Sequence, residues 1–158
     1  MVSKQKAKGK YFESKIASMI CKHLDLTAYE CKRAPFSGNE QYEFGDIYFA
    51  DPNKCGIIIE CKFHNDWDMR SIWPTVGAKF ISFLDELNAA CDKYKLKFDK
   101  DPIFAGVVFS KPYYDIYVLS WFDIETKAKI RCNSIYNQLP LYTYLLDDIL
   151  VELRRKLW

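Results

Sequence analysis

Apolar positions recur along this chain in two rhythms, and the alternation of the two predicts its elements. From Tyr11 to Leu24 the spacing is helical, with Phe12, Ile16, Met19, Ile20 and Leu24 on one stripe. Glu13 falls at the edge of that stripe, because Ala17, Ile20 and Leu24 follow it at offsets of four, seven and eleven. A second helix is predicted over Val76–Tyr94, with Phe80, Phe83, Leu84, Leu87 and Cys91 inward and Asp85, Glu86 and Asn88 outward. A third covers Leu141–Leu157 through Leu145, Ile149, Leu150 and Leu153. Between the helices lie short runs too apolar and β-branched for exposed helix. Phe44–Ala50, Cys55–Lys62, Ile103–Ser110 and Tyr113–Trp121 read as strands, and Leu26–Cys31 as a short one ending at Lys32 and Arg33. Asp51-Pro52-Asn53-Lys54 has hairpin-turn composition, so Cys55–Lys62 is expected to return antiparallel to Phe44–Ala50. Ile124–Tyr136 fits neither rhythm. Trp67 and Trp73 lie in a mixed stretch that Pro74 interrupts, and they read as packing residues. The order of elements predicts an α/β protein, a central mixed β-sheet flanked by helices, with an extra C-terminal helix.

Composition adds boundaries. At 158 residues, 49% hydrophobic and 28% charged, the chain reads as one soluble domain spanning 1–158. No apolar run nears the roughly 20 residues of a membrane helix, and no signal-type segment follows the basic N-terminus. A cytoplasmic protein is expected, without membrane or small-molecule cofactor. The six cysteines have no CxxC spacing and read as reduced core residues. His23 and His64, the only histidines, are far apart, which argues against a His-rich metal site. The net charge of +2 says little, but its distribution says more. Lys4, Lys6, Lys8 and Lys10 precede the first helix with no acid among them, and Arg154-Arg155-Lys156 sits near the other end. Residues 1–9 read as a flexible basic arm of the kind that lies along phosphates.

The candidate chemistry centres on two strands. Strand alternation puts Ile58, Glu60 and Lys62 on one face and Ile57, Ile59 and Cys61 on the other. Alone, Glu60 and Lys62 are an ion pair at a strand end. The expected hairpin adds Asp46 at the same end, and Glu13 enters from the helix edge. Clustered carboxylates repel one another and raise each other's pKa unless a cation lies between them. A hard cation with oxygen ligands, Mg²⁺ above all, answers that repulsion and would activate water against a phosphodiester. Lys62 would orient or deprotonate that water and stabilise the charge of the transition state.

Gly45-Asp46 followed by Ile57-Ile58-Ile59-Glu60-Cys61-Lys62 resembles the signature of the PD-(D/E)XK nuclease superfamily. Lys8-Gly9-Lys10-Tyr11-Phe12-Glu13 and Arg33-Ala34-Pro35-Phe36-Ser37-Gly38 are similar to the opening helix and the Arg-x-x-x-Ser-Gly loop of archaeal-type Holliday junction resolvases. The resemblance implies a restriction-endonuclease-like core and metal-dependent hydrolysis of DNA. It assigns the metal to Glu13, Asp46, Glu60 and the Cys61 carbonyl, and catalysis to these acids with Lys62. It places Arg33 and Ser37 on phosphate, with Lys8 and Lys10 as further DNA contacts. It also implies a homodimer making paired symmetric nicks in four-way junctions, with Mg²⁺ replaceable by Mn²⁺. Glycine stands where the superfamily has proline before the first aspartate. Residues 122–158 have no counterpart in the archaeal enzymes and read as a C-terminal elaboration, such as a phage or mobile-element relative would carry in its host's cytoplasm. The alternatives are another nuclease of the superfamily, restriction-like or a repair enzyme on flapped or linear duplex, and a catalytically inactive DNA-binding protein on the same fold.

Overall fold

A computed structural model of the chain describes residues 4–35, 44–65 and 76–158. In chain order they form α1 (Lys4–Leu24), β1 (Cys31–Arg33), β2 (Ile47–Phe49), α2 (Pro52–Cys55), β3 (Ile57–Phe63), α3 (Ala78–Phe98), β4 (Phe104–Ser110), β5 (Tyr117–Ser120), β6 (Ile130–Tyr136), β7 (Leu139–Leu145) and α4 (Leu146–Leu157). Five strands make one mixed sheet in the order β3-β4-β5-β7-β6. Only β3 and β4 run parallel within it. The antiparallel pair β1-β2 lies beside β3 and is joined to it by a parallel bridge between Gly45 and Ile59.

The alternation in β3 sorts the core into two layers. Ile57, Ile59 and Cys61 pack with Phe12, Ile16, Ile20 and Leu24 of α1 and Ile149, Leu150 and Leu153 of α4. Ile58 packs on the other face with Phe80, Leu84, Leu87, Cys91 and Tyr94 of α3. Every residue of β4 is buried, as a strand covered by helices on both faces must be. This is the α/β restriction-endonuclease-like arrangement, a mixed sheet flanked by helices with a further helix at the C-terminus. None of the six cysteines is bonded to another, and five of them are buried. No described helix is long and apolar enough to cross a membrane.

Four expectations are corrected. The arm expected over residues 1–9 is helical from Lys4, because lysine, glutamine and alanine are strong helix formers and one glycine costs only about 1 kcal/mol. The strand expected over Leu26–Cys31 is displaced to Cys31–Arg33, because Glu30 accepts hydrogen bonds from the Thr27 N–H and hydroxyl and closes a turn there. The expected hairpin is instead the short helix α2. Asp51 accepts from the Lys54 N–H as a cap, Pro52 opens the first turn, and Gly56 ends it in the left-handed region at φ 58°. Consequently β2 pairs with β1, and β3 pairs with β4. Finally, the helix expected over Leu141–Leu157 begins only at Leu146. Its first residues, rich in tyrosine and threonine, form β7, whose β propensity overrides a spacing compatible with either element. Both β7 and β6 belong to the main sheet, and the Trp158 indole N–H donates to the Leu24 carbonyl, tying the end of α4 to α1.

Candidate active site

Gly45 sets the geometry at the edge of the main sheet. Its φ is +82°, and a Cβ there would lie 2.4 Å from the Ile59 carbonyl oxygen. That close approach lets the Asp46 N–H donate to the same carbonyl at 2.8 Å. In return the Asp46 carboxylate accepts from the Cys61 N–H at 2.7 Å. Asp46 is thereby clamped to β3 at both its main chain and its side chain. The expected meeting of Asp46 and Glu60 occurs, through a parallel bridge rather than a hairpin. Because the Cys61 N–H points away from β4 toward Asp46, its carbonyl projects along the same strand edge.

The two carboxyls face each other closely enough for each to shift the other. Burial is the largest cause raising both pKa values, and the Asp46 charge adds to it at Glu60, which is pushed up to about 8. Glu13 is raised first by burial and then by the Asp46 charge, against the pull of Arg33 and Lys10. The Arg33 guanidinium donates to Glu13 at 3.3 Å across a half-buried contact. The Asp46 charge acts on both Glu13 and Glu60, while Glu13 is held by Arg33, and among the described residues no group of three or more His, Cys, Asp or Glu side chains forms a ready metal site.

Lys62 stands 3.7 Å from Glu60 and 2.5 Å from Glu86 of α3. Its ammonium also lies over the Phe83 ring, 4.9 Å from the centroid. Burial would lower its pKa, but the hydrogen bond to Glu86 and the charges of Glu60, Glu86 and Asp46 more than offset that and raise it. Lys62 is therefore an ammonium at neutral pH. Of the two roles expected for it, orienting or deprotonating the water, the protonated form suits only the first. Glu86 is exposed, as expected from its outward place on the helix, and it reaches Lys62 from that surface position.

The remaining site residues are dispersed. Lys8 and Lys10 are exposed on α1, and Lys8 reaches Asn65 at 3.5 Å. Ser37, Trp67 and Trp73 lie outside the described residues.

Asp46 and Glu60 offer hard oxygen donors whose own repulsion a divalent cation would relieve, and the Cys61 carbonyl shares their edge. This donor set fits Mg²⁺ or Mn²⁺, with Glu13 as the next oxygen donor if Arg33 releases it. No curated protein and no solved structure matches the chain significantly. The family described as phage putative PDDEXK endonuclease matches residues 4–145, which takes in α1, every strand and the acid–acid–lysine set. With that match and this fold, the chain belongs to the phage putative PDDEXK endonuclease family, among the PD-(D/E)XK nucleases.

Proposed function

We propose that this protein is a Mg²⁺-dependent DNA endonuclease acting on branched DNA, as a homodimer that makes paired nicks in four-way junctions. The observation that carries the hydrolytic part is the half-buried Asp46–Glu60 carboxyl pair beside an ammonium, Lys62, at the end of β3. Family membership supports DNA as substrate. The four-way junction and the homodimer rest on the likeness of the Lys8–Glu13 and Arg33–Gly38 stretches to junction resolvases, and on the need of two symmetric cuts for two sites.

Asp46, Glu60 and the Cys61 carbonyl would hold the cation, with Glu13 completing the set. When bound, it supplies Lewis acidity at the phosphoryl oxygen and lowers the pKa of water. Each other role belongs to the chain. Asp46 is fixed by the Cys61 N–H, so its free oxygen has one direction available. Glu60, pushed up to about 8 by burial and the Asp46 charge, would hold the cation as a carboxylate, its proton passing to solvent. Lys62, kept charged by Glu86, presents an ammonium to the phosphate as negative charge develops on it. Arg33 moves between Glu13 and a phosphate oxygen, both of which suit its planar fork.

Cleavage of a four-way junction, a flap and a linear duplex, each with Mg²⁺ and with EDTA, beside the Glu60→Gln variant, tests this reading. Paired symmetric nicks in the junction alone are expected. Cutting of every substrate would replace the resolvase by a general nuclease. Metal-independent binding with no cleavage of any substrate would overturn the enzymatic claim.

A further inference from the structure

A second feature lies across α1 from the acids. Tyr11 and Glu13 are two residues apart, hence about 200° around the helix. Glu13 faces Arg33, while Lys8, Tyr11 and Lys15 line a groove of about 490 Å³ at the carboxyl ends of β3 and β4. Its opposite wall is the turn after β4, with Lys111, Tyr113 and Tyr114. Among the described residues no acid lines it. The floor is apolar and includes Phe12 and Phe63, the chain neighbours of Glu13 and Lys62.

The turn shows what the groove is for. The Tyr114 N–H donates to the Lys111 carbonyl at 3.2 Å, with Pro112 second and Tyr113 third at φ 68°. That is the layout of a type II turn, whose third position favours glycine. A bulky residue there costs of order 1–3 kcal/mol. Tyr113 gains no burial in return, being 105% exposed, and Tyr11 across the groove is 74% exposed. The Lys111 ammonium sits 4.3 Å from the centre of the Tyr114 ring. Exposed rings alternating with ammonium groups over an acid-free apolar floor match a chain that alternates flat apolar bases with phosphates.

We propose that this groove binds unpaired DNA, stacking bases on Tyr11 and Tyr113 while Lys8, Lys15 and Lys111 meet the phosphates. The inference rests on the nuclease reading and deepens it. α1 is about 10–12 Å across, a few nucleotides of strand at about 3.4 Å each. The scissile phosphate would therefore lie a few nucleotides from the stacked bases, so that bases unpaired at the branch point of a junction reach the groove from the cut.

The test is binding in EDTA to a forked duplex carrying 2-aminopurine in its unpaired arm, and to the blunt duplex of the same paired sequence. The full chain is compared with Tyr113→Ala, Tyr11→Ala and Tyr113→Phe, and all are then assayed for Mg²⁺-dependent cleavage of both DNAs and of a four-way junction. Expected are quenched 2-aminopurine fluorescence on binding, at least about tenfold tighter binding of the fork, and a loss of roughly tenfold of that preference in each alanine variant. Tyr113→Phe keeps it. Because both rings are exposed, the variants retain the wild-type melting temperature. Equal affinity for fork and blunt duplex overturns the proposal even if both are cleaved. So does an alanine variant that weakens both DNAs alike or that changes only the oligomeric state. Fork preference and quenching without cleavage of any DNA would sink the nuclease reading and leave the groove's ligand standing.

Discussion

On one flank of α1, Glu13 meets Arg33 and the charge of Asp46, and behind them Glu60 holds a proton that an exposed glutamate would have lost. On the other flank, Lys8, Tyr11 and Lys15 look into a groove that no acid among the described residues lines. The first region is half-buried and internally hydrogen-bonded, and without a cation it works against the fold that holds it. The second has open rings beside exposed ammonium groups. Chemistry is placed where charge is costly, and capture is placed where charge is solvated and cheap. A nuclease needs both within reach of one strand, and a single helix here serves both.

The sharpest way to break this contrast is Glu60→Gln. It should lower Mg²⁺-dependent cleavage by at least about 10³-fold, yet leave binding of forked DNA within about twofold, because the groove does not use Glu60. The same variant in EDTA should melt above wild type at pH 8, since it removes a buried carboxyl that is forced to ionise. Glu86→Gln should cost about 10- to 100-fold in turnover, as the loss of a residue that acts through another does. Single-turnover rates read that effect, and an unchanged rate would return Glu86 to the solvent-facing role its sequence suggests.

A third measurement uses pH. Glu60 has an ordinary value of 4.5 and is pushed up to about 8, so the folded state holds its proton more tightly than the unfolded state does. The stability from that protonated carboxyl is present below about pH 4.5 and is lost as the pH rises through 8. Melting temperature in EDTA should therefore fall between pH 5 and pH 8, and millimolar Mg²⁺ should recover more of it at pH 8 than at pH 5. A melting curve indifferent to Mg²⁺ at both values would count against cation binding by the pair. The smallest effect belongs to the groove. Lys8→Ala or Lys15→Ala should reduce the slope of log affinity against log salt for single-stranded DNA by about 0.7 each. Titrations between 50 and 200 mM salt resolve that change.

How much of this was legible differs between the two flanks. The acids were legible because strand alternation fixes the faces of Glu60 and Lys62 without knowledge of any partner strand. Their route to Asp46 was not. Asp51-Pro52 is equally good chemistry for starting a helix and for a turn, and only the pairing of β3 with β4 settles which it makes. Glu86 was read correctly as outward, but its contact with Lys62 was not legible, because a helix wheel does not say which strand residue an outward charge reaches. β7 was hidden under a helical period, since Leu141 and Leu145 are four apart and also share a strand face. The groove left the weakest trace. Tyr11 and Tyr113 are 102 positions apart, and nothing local to either announces the other.

Gly45 carries a historical consequence. The superfamily's signature begins with proline, whose ring fixes φ near −65°, whereas this position stands at +82° with the Ile59 carbonyl pressed against it. Proline is thus closed to this chain by a single substitution, because both the torsion angle and the bridge to β3 would have to change together. A different backbone conformation delivers the aspartate here, and both its torsion angle and its contact with Ile59 hold the position to glycine. Relatives are better sought by the glycine–aspartate pair and the strand that receives it than by the proline.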